Sequence, residues 1–320
     1  MNIYNSENMQ KIVVIGGGTG SYTLLRGLKK YETELTAIVS MMDSGGSTGR
    51  LRDEFGFLPP GDVRRCLLAL SPDTSSLRNL FEYRFKKGMG LNGHSLGNLF
   101  LTALRDITGN EAKAIEEASK LLGIKGKVLP VTTNHCHLGA ILENKQVVVG
   151  ETNIDIPRHD AELKIKKLFL APKPRAYKGA VKAILEADKI VIGPGDLYTS
   201  VLPNILVSGM KQAIAKSKAK KIYVCNIMTK RGETTNYKAS DFVREIEKYL
   251  GEKVINYVIC NNKKPAKNLL AKYKKEQADF VEPDLKNTKK LRVVKTNLLD
   301  DIHLARHDPD KLAKTIIELK

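Results

Sequence analysis

A chain of 320 residues with 42% hydrophobic, 6% aromatic and 28% charged residues, and with 53 Lys plus Arg against 35 Asp plus Glu for a net charge of +18, is globular by composition. That hydrophobic fraction excludes wholesale disorder, and the length suits one large or two modest domains with a sizeable buried core. No run approaches the roughly 18 apolar residues of a membrane span and no charged-then-apolar leader opens the chain, so a cytoplasmic protein is expected. The four cysteines (Cys66, Cys136, Cys225, Cys260) are far apart with no Cys-x-x-Cys, and read as reduced, mostly buried thiols.

Residues 1–10 are polar and expected to be disordered. Lys11-Ile-Val-Val-Ile15 is a short apolar run that ends in Gly16-Gly-Gly-Thr-Gly20 and is followed by Leu24, Leu25 and Leu28 at helical spacing, which predicts strand, turn and helix. Leu35–Ser40 predicts the next strand, emptying into Asp43-Ser-Gly-Gly-Ser-Thr-Gly49. Helical patterns follow at about 62–70, 76–86, 95–108 and 111–122, and 127–170 is strand-rich, an insertion or small subdomain within a domain spanning 11–320. A helix near 176–187 leads into the strand Lys189-Ile-Val-Ile192 and then Gly193-Pro-Gly-Asp196. A helix near 204–217 precedes Lys221-Ile-Tyr-Val-Cys225. A β segment at 240–260, a helix at 265–275 and a final helix at about 309–320 complete the chain.

Alternating strands and helices predict an α/β fold, a mostly parallel sheet with helices on both faces, in which ligands bind beyond the carboxyl ends of the strands. The polar and glycine-rich clusters at 16–20, 43–49, 193–200 and 226–229 all fall at predicted strand ends. Gly17, Gly18, Thr19, Gly20 and Ser21 form a phosphate-type turn without being a strict dinucleotide fingerprint or a P-loop. Asp43, Ser44, Gly45, Gly46 and Arg50 follow the second strand, where an acidic residue can hold a ribose, carry a metal or accept a proton. Asp62 reads equally as the cap of a helix or as a catalytic group, and Arg64 and Arg65 in its first turn oppose the helix dipole, a hint of a bound anion.

Gly93-His-Ser-Leu-Gly97 matches the nucleophile-elbow pattern, but no apolar strand precedes it. His94 and Ser95 are therefore expected to cap a helix, with His94 and Asn98 facing a ligand. Asn134-His135-Cys136-His137 lacks a second ligand pair for zinc and reads as structural or surface histidines. Gly193, Pro194, Gly195, Asp196, Thr199 and Ser200 form a second anion- or sugar-binding loop, supplemented by Asn226 and Arg306. The scattered lysine tracts read as solvated surface, no nucleic-acid signature accompanies the charge, and the arginines point to a small phosphorylated ligand.

Taken in order, Ile15-Gly-Gly-Gly-Thr-Gly20, Gly45-Gly-Ser-Thr-Gly-Arg-Leu-Arg-Asp53, Leu58-Pro-Pro-Gly-Asp62, Gly93-His-Ser-Leu-Gly-Asn98, Gly193-Pro-Gly-Asp-Leu-Tyr-Thr-Ser200 and Val224-Cys-Asn-Ile-Met-Thr229 resemble the YvcK-type gluconeogenesis factor family, relatives of the 2-phospho-L-lactate transferases. The resemblance runs from about 11 to 318. It implies a three-layer Rossmann-like, CofD-like core and a site for a nucleotide diphosphate or nucleotide sugar, with UDP-N-acetylglucosamine first. It also implies a role in carbon use and cell shape during gluconeogenic growth, and Tyr273 and Arg306 as contributors to the uridine-sugar site. A homodimer and further protein partners are compatible with that role. Two departures are visible: Ser44 follows Asp43 where the family commonly pairs aspartates, and Asn134–His137 replaces a stretch that is usually acidic.

Two functions follow as alternatives. One is a regulatory protein that binds a uridine nucleotide sugar without turnover. The other is a transferase using Mg²⁺ with the nucleotide, in which Asp43 or Asp62 is metal ligand or base and Arg50, Arg64 or Arg65 stabilises the diphosphate. With Asp43 the one secure carboxylate, binding is favoured. A nicotinamide hydride-transfer enzyme is a third, weaker reading.

Overall fold

The computed structural model describes residues 9–72, 76–300 and 304–319. Strands β1 (Gln10–Gly16), β2 (Thr33–Val39) and β3 (Lys127–Pro130) lie on one side of a seven-stranded sheet. A second, three-stranded sheet holds β4 (His137–Leu142), β5 (Val147–Val149) and β6 (Ile165–Ala171) in the order β5-β4-β6, all antiparallel. The main sheet is completed by β7 (Lys189–Ile192), β8 (Lys220–Val224), β9 (Tyr257–Asn261) and β10 (Arg292–Thr296). Its order is β10-β9-β8-β7-β1-β2-β3, with every pairing parallel.

This order explains why the strands read as continuous apolar runs: Ile12 to Ile15, Ile190 to Ile192 and Ile222 to Val224 are buried on both faces. From β1 the chain steps to β2 and β3 in one direction, and later from β7 to β8, β9 and β10 in the other. Right-handed crossovers then send the connecting helices to opposite faces of the sheet. Helix α1 (Gly18–Leu28), helix α3 (Gly61–Leu70) and the final helix Pro309–Glu318 pack together. The helices Lys178–Glu186, Leu202–Leu206, Met210–Lys216 and Ala239–Leu250 form the other packed group. The reversal falls between β1 and β7, so the two glycine loops that follow them, 17–20 and 193–196, meet at one crevice.

Several elements depart from the sequence reading. The strand expected at 240–260 begins instead as the helix Ala239–Leu250, in which Phe242, Val243, Ile246 and Leu250 are buried at helical rather than alternating spacing. The helix expected at 204–217 is instead two short helices, preceded by a π-helical turn Leu197–Val201. Ser208 pairs instead with the 174–176 segment, donating to Pro174 O at 3.0 Å and accepting from Ala176 N at 2.9 Å. Of the strand-rich stretch 127–170, β3 joins the main sheet, and the small sheet begins only at His137. Residues 1–8, within the expected disordered start, lie outside the described residues, whereas Gln10 already pairs with Thr33 in β1. All four cysteines are buried and free.

Candidate functional site

Two adjoining chambers open at the carboxyl edge of the sheet. The larger, about 770 Å³, is walled by Asn226, Tyr273, Lys230, Arg231, Arg306 and His307 among others. The smaller, about 370 Å³, is walled by Asp43, Asp62, Arg65, Glu151, Thr152 and Ser200 among others. Thr19, Gly20, Asp155, Ile156, Gly195 and Asp196 line both and so form the ridge between them.

The glycine loop supplies the ridge because two backbones must nearly touch there. A Cβ on Gly20 would lie 2.2 Å from the Pro194 carbonyl oxygen, and one on Gly17 would lie 2.3 Å from Asp62 Oδ2, so neither position has room for a side chain. Helix α1 starts at Gly18, whose amide is held by the Asp62 carboxylate, and the next first-turn residues, Thr19 and Gly20, border the crevice with no cap from Gly17. Helix α2 (Gly46–Phe55) likewise starts without a side-chain cap, its Gly45 N–H donating to Asp43 Oδ1 at 2.9 Å.

The small chamber gathers acid. Asp62 does not cap α3: it is the second residue of that helix, buried, and its carboxylate accepts a hydrogen bond from the Gly18 amide. Burial, and then the charge of Asp43, push its pKa up to about 6. Burial also raises Asp43, and burial followed by the charges of Asp43 and Asp155 pushes Glu151 up to about 8. Arg65 is the one basic residue on this wall among the described residues, 3.6 Å from Asp62 Oδ1. Glu151 and Asp155 arrive on the five-residue helix α7 (Glu151–Asp155), which the small sheet folds back over the crevice. Ser44 ties that helix down: its Oγ lies 3.1 Å from Thr152 Oγ1 and accepts from Thr152 N at 3.0 Å. Asp43, Asp62 and Glu151 thus line one chamber as hard-oxygen donors that resist ionisation together, and a small divalent cation would relieve their mutual repulsion.

The large chamber is mixed. Tyr273 Oη accepts from Ala305 N at 3.2 Å and so supports the segment that carries Arg306. His307 is buried, which lowers its pKa to about 4, and Nε2 has no protein partner; Asn226 Oδ1 is also unpartnered. Lys230 reaches the ridge, contacting Asp155, Asp196 (2.8 Å) and Glu233 (3.1 Å). Burial works to lower its pKa, but the charges of Glu233, Asp196 and Asp155 outweigh it and hold the ammonium more firmly protonated than an ordinary lysine.

Comparison with known proteins agrees with this architecture. The model of the 2-phospho-L-lactate transferase CofD family matches residues 12–299. The chain belongs to the CofD-like gluconeogenesis factor family. It is 44% identical over 315 residues to the gluconeogenesis factor of Halalkalibacterium halodurans, covering 97% of each chain. It is 42% identical over 315 residues to that of Bacillus subtilis, covering 97% of this chain and 98% of the relative. A crystal structure of a Bacillus halodurans protein of the UPF0052 family superposes with a TM-score of 0.91 at 41% identity, covering 98% of this chain and all (100%) of that one.

Within this family fold the expected site residues separate into two groups. Gly17, Gly18, Thr19, Gly20, Asp43, Gly45, Gly46, Asp62, Arg65, Pro194, Gly195, Asp196, Thr199, Ser200, Asn226, Tyr273 and Arg306 line one chamber or both. The others stand behind them. Arg50 Nη2 is occupied by the Asn92 carbonyl at 2.9 Å, and Arg64 Nε by Asn98 Oδ1 at 2.9 Å, so the arginine cluster contributes a single guanidinium to the cleft. His94 and Asn98 line neither chamber; both turn to Ser47 and brace the start of α2, His94 Nδ1 lying 3.1 Å from its Oγ and Asn98 Nδ2 3.3 Å. Ser95 stands at the cap position of helix α5 (Leu96–Thr108), the fourth and sixth helices being Ser76–Glu82 and Glu111–Leu121, but its hydroxyl donates to Phe81 O rather than capping. Ser21 Oγ is buried without a partner, and Gly193 forms the turn behind the ridge. In the Asn134–His137 segment, Arg52 Nη2 donates to Cys136 O at 3.0 Å and to His137 Nδ1 at 2.8 Å, while Asn134 Oδ1 accepts from Arg175 N. Glu151, Asp155, Lys230, Glu233 and His307 were not expected at the site. In the sequence, Lys230 adjoins the 226–229 cluster and His307 adjoins Arg306.

Proposed function

We propose that the large chamber binds a nucleotide diphosphate sugar, with UDP-N-acetylglucosamine the leading ligand, and that the protein is a regulatory binding protein serving carbon use and cell shape during gluconeogenic growth. The observation that carries this reading is the continuity of a chamber of about 770 Å³, holding Tyr273, Asn226 and Arg306, with the first turn of α1 at Thr19 and Gly20. A nucleoside and a diphosphate need those two environments side by side: a partly apolar wall with a few polar groups, then N–H donors for the phosphate oxygens. The guanidinium of Arg306 supplies the charge that bare backbone amides lack. A homodimer and protein partners belong to the same proposal, since a binding protein without turnover acts by presenting a ligand-dependent surface.

A second reading has its own observation. The sequence secured Asp43 alone at a reacting centre, whereas the fold brings Asp43, Asp62 and Glu151 into one chamber next to the phosphate-binding ridge. Asp43 and Asp62 would hold Mg²⁺ there, and the ion would supply charge stabilisation to a transferring phosphoryl group. On that reading the chain is a transferase related to the 2-phospho-L-lactate transferases, with Glu151, neutral near pH 7, as a proton donor at the rim.

Calorimetric titration with UDP-N-acetylglucosamine, UDP, GTP and NAD, each with and without Mg²⁺, separates them. Regulatory binding predicts saturable heat with the uridine ligands, and about tenfold or greater weakening in Arg306→Ala from loss of a charge-assisted contact. No heat with any uridine nucleotide would refute it. Product formed from a nucleotide-linked donor, and abolished by Asp43→Asn, would establish the transferase instead.

A further inference from the structure

Lys230 lies in the loop after β8, yet its side chain joins three separate segments at the ridge. Its ammonium meets Asp155 at the end of α7, Asp196 after β7, and Glu233 three residues further along. The three carboxylates each offer an oxygen within 4.8 Å of the others, the spacing of a hard-cation site built from oxygen ligands. Here the centre is filled by the chain's own ammonium.

This is more than a surface ion pair. The Glu233 side chain is wholly buried (0% exposed), and its oxygens also accept from Tyr198 N at 3.0 Å and Thr199 Oγ1 at 3.2 Å. A buried carboxylate held by two neutral donors still needs a counter-charge, and removing the partner of such a charge is strongly unfavourable. Asp155 belongs to the helix that closes the small chamber, while Asp196 and Glu233 belong to the main domain, so the same ammonium fastens the covering segment to the sheet edge. Without a cation, three carboxylates on this ridge would also repel an incoming diphosphate.

We propose that Lys230 is a built-in counter-cation: it occupies the position a divalent ion would otherwise take among Asp155, Asp196 and Glu233, fastening α7 over the cleft and keeping that wall metal-free. It acts as a positioning residue. The proposal deepens the nucleotide-binding reading, but its test counts ions at the cluster itself, so failure of either reading is seen separately.

The test is a Mn²⁺ titration followed by electron paramagnetic resonance on the wild type, Lys230→Met and Lys230→Met/Glu233→Gln. Any ion held at Asp43 and Asp62 is common to all three. The proposal predicts that Lys230→Met binds one more Mn²⁺ per chain than the wild type, at a site the added Glu233→Gln removes. It also predicts a thermal midpoint raised by saturating Mn²⁺ about 4 °C more in Lys230→Met than in the wild type. Equal ion counts in wild type and Lys230→Met, or an extra site that survives Glu233→Gln, would overturn it. Should Lys230→Met not fold in chelator, refolding with Mn²⁺ decides: recovery supports the counter-cation, and failure in both conditions contradicts it.

Discussion

At the scale of single residues, the ridge depends on atoms that are missing as much as on those present. Gly20 faces the Pro194 carbonyl so closely that one methyl group must push the two loops apart. Gly20→Ala is therefore expected to weaken nucleotide binding by about tenfold or more and to cost about 1–3 kcal/mol of stability through overpacking. Titration with UDP-N-acetylglucosamine and urea unfolding read the two effects. Glu151 gives a prediction with a definite sign. Its folded pKa of about 8 lies above the ordinary 4.5, so its contribution is complete below about pH 4.5 and is lost as pH rises through 8. Glu151→Gln should accordingly gain on the wild type by about 4 kcal/mol between pH 5 and pH 9. A gap between the two proteins that stays flat with pH would show that Glu151 ionises normally. The glycine and aspartate loops were legible in the sequence because their residue types have few other uses. Arg50 and Arg64 line neither chamber, and nothing local in the sequence reveals that the Asn92 carbonyl and Asn98 Oδ1 hold their guanidinium groups.

At the scale of elements, the central strands β1, β2, β7 and β8 announced themselves as apolar runs ending in polar turns, whereas the edge strand β10, Arg292–Thr296, was not read because its residues are exposed or half-buried. The helix Ala239–Leu250 was missed although its buried positions have helical period, since Val243 and Ile246 resemble strand residues when taken singly. Helix α7 could not be read at all: five residues are too few to show a period, and its importance comes from the small sheet that carries it back over the cleft. The last helix illustrates how one buried charge secures an element. Lys189, 2% exposed, donates to the Ile316 and Ile317 carbonyls, each at 2.9 Å, at the end of Pro309–Glu318. Lys189→Met keeps the aliphatic stem but strands those carbonyls, and should lower stability by about 1.5–3 kcal/mol, read from the urea midpoint at unchanged slope.

At the scale of the molecule, strand order decides where function lies. The reversal between β1 and β7 sets the loops 17–20 and 193–196 against each other, and the small sheet and the C-terminal segment with Tyr273 and Arg306 enclose the space beyond them. Net charge takes on a different meaning at this scale. The +18 excess suggested an anion site built from clustered arginines, yet the small chamber is acidic, and the cationic groups of the cleft are Arg65, Lys230, Arg231 and Arg306, drawn from three places in the sequence. Such an assembly is invisible to a local reading because the fold, not the spacing, brings its members together. The central claim is that the large chamber takes a uridine nucleotide sugar with its diphosphate on the α1 start. A crystal structure of the protein grown with UDP-N-acetylglucosamine tests it most directly. The account predicts density for the uridine beside Tyr273 and Arg306, with the diphosphate at Thr19 and Gly20. Density for the ligand elsewhere, or a large chamber left without it at saturating concentration, would contradict the account.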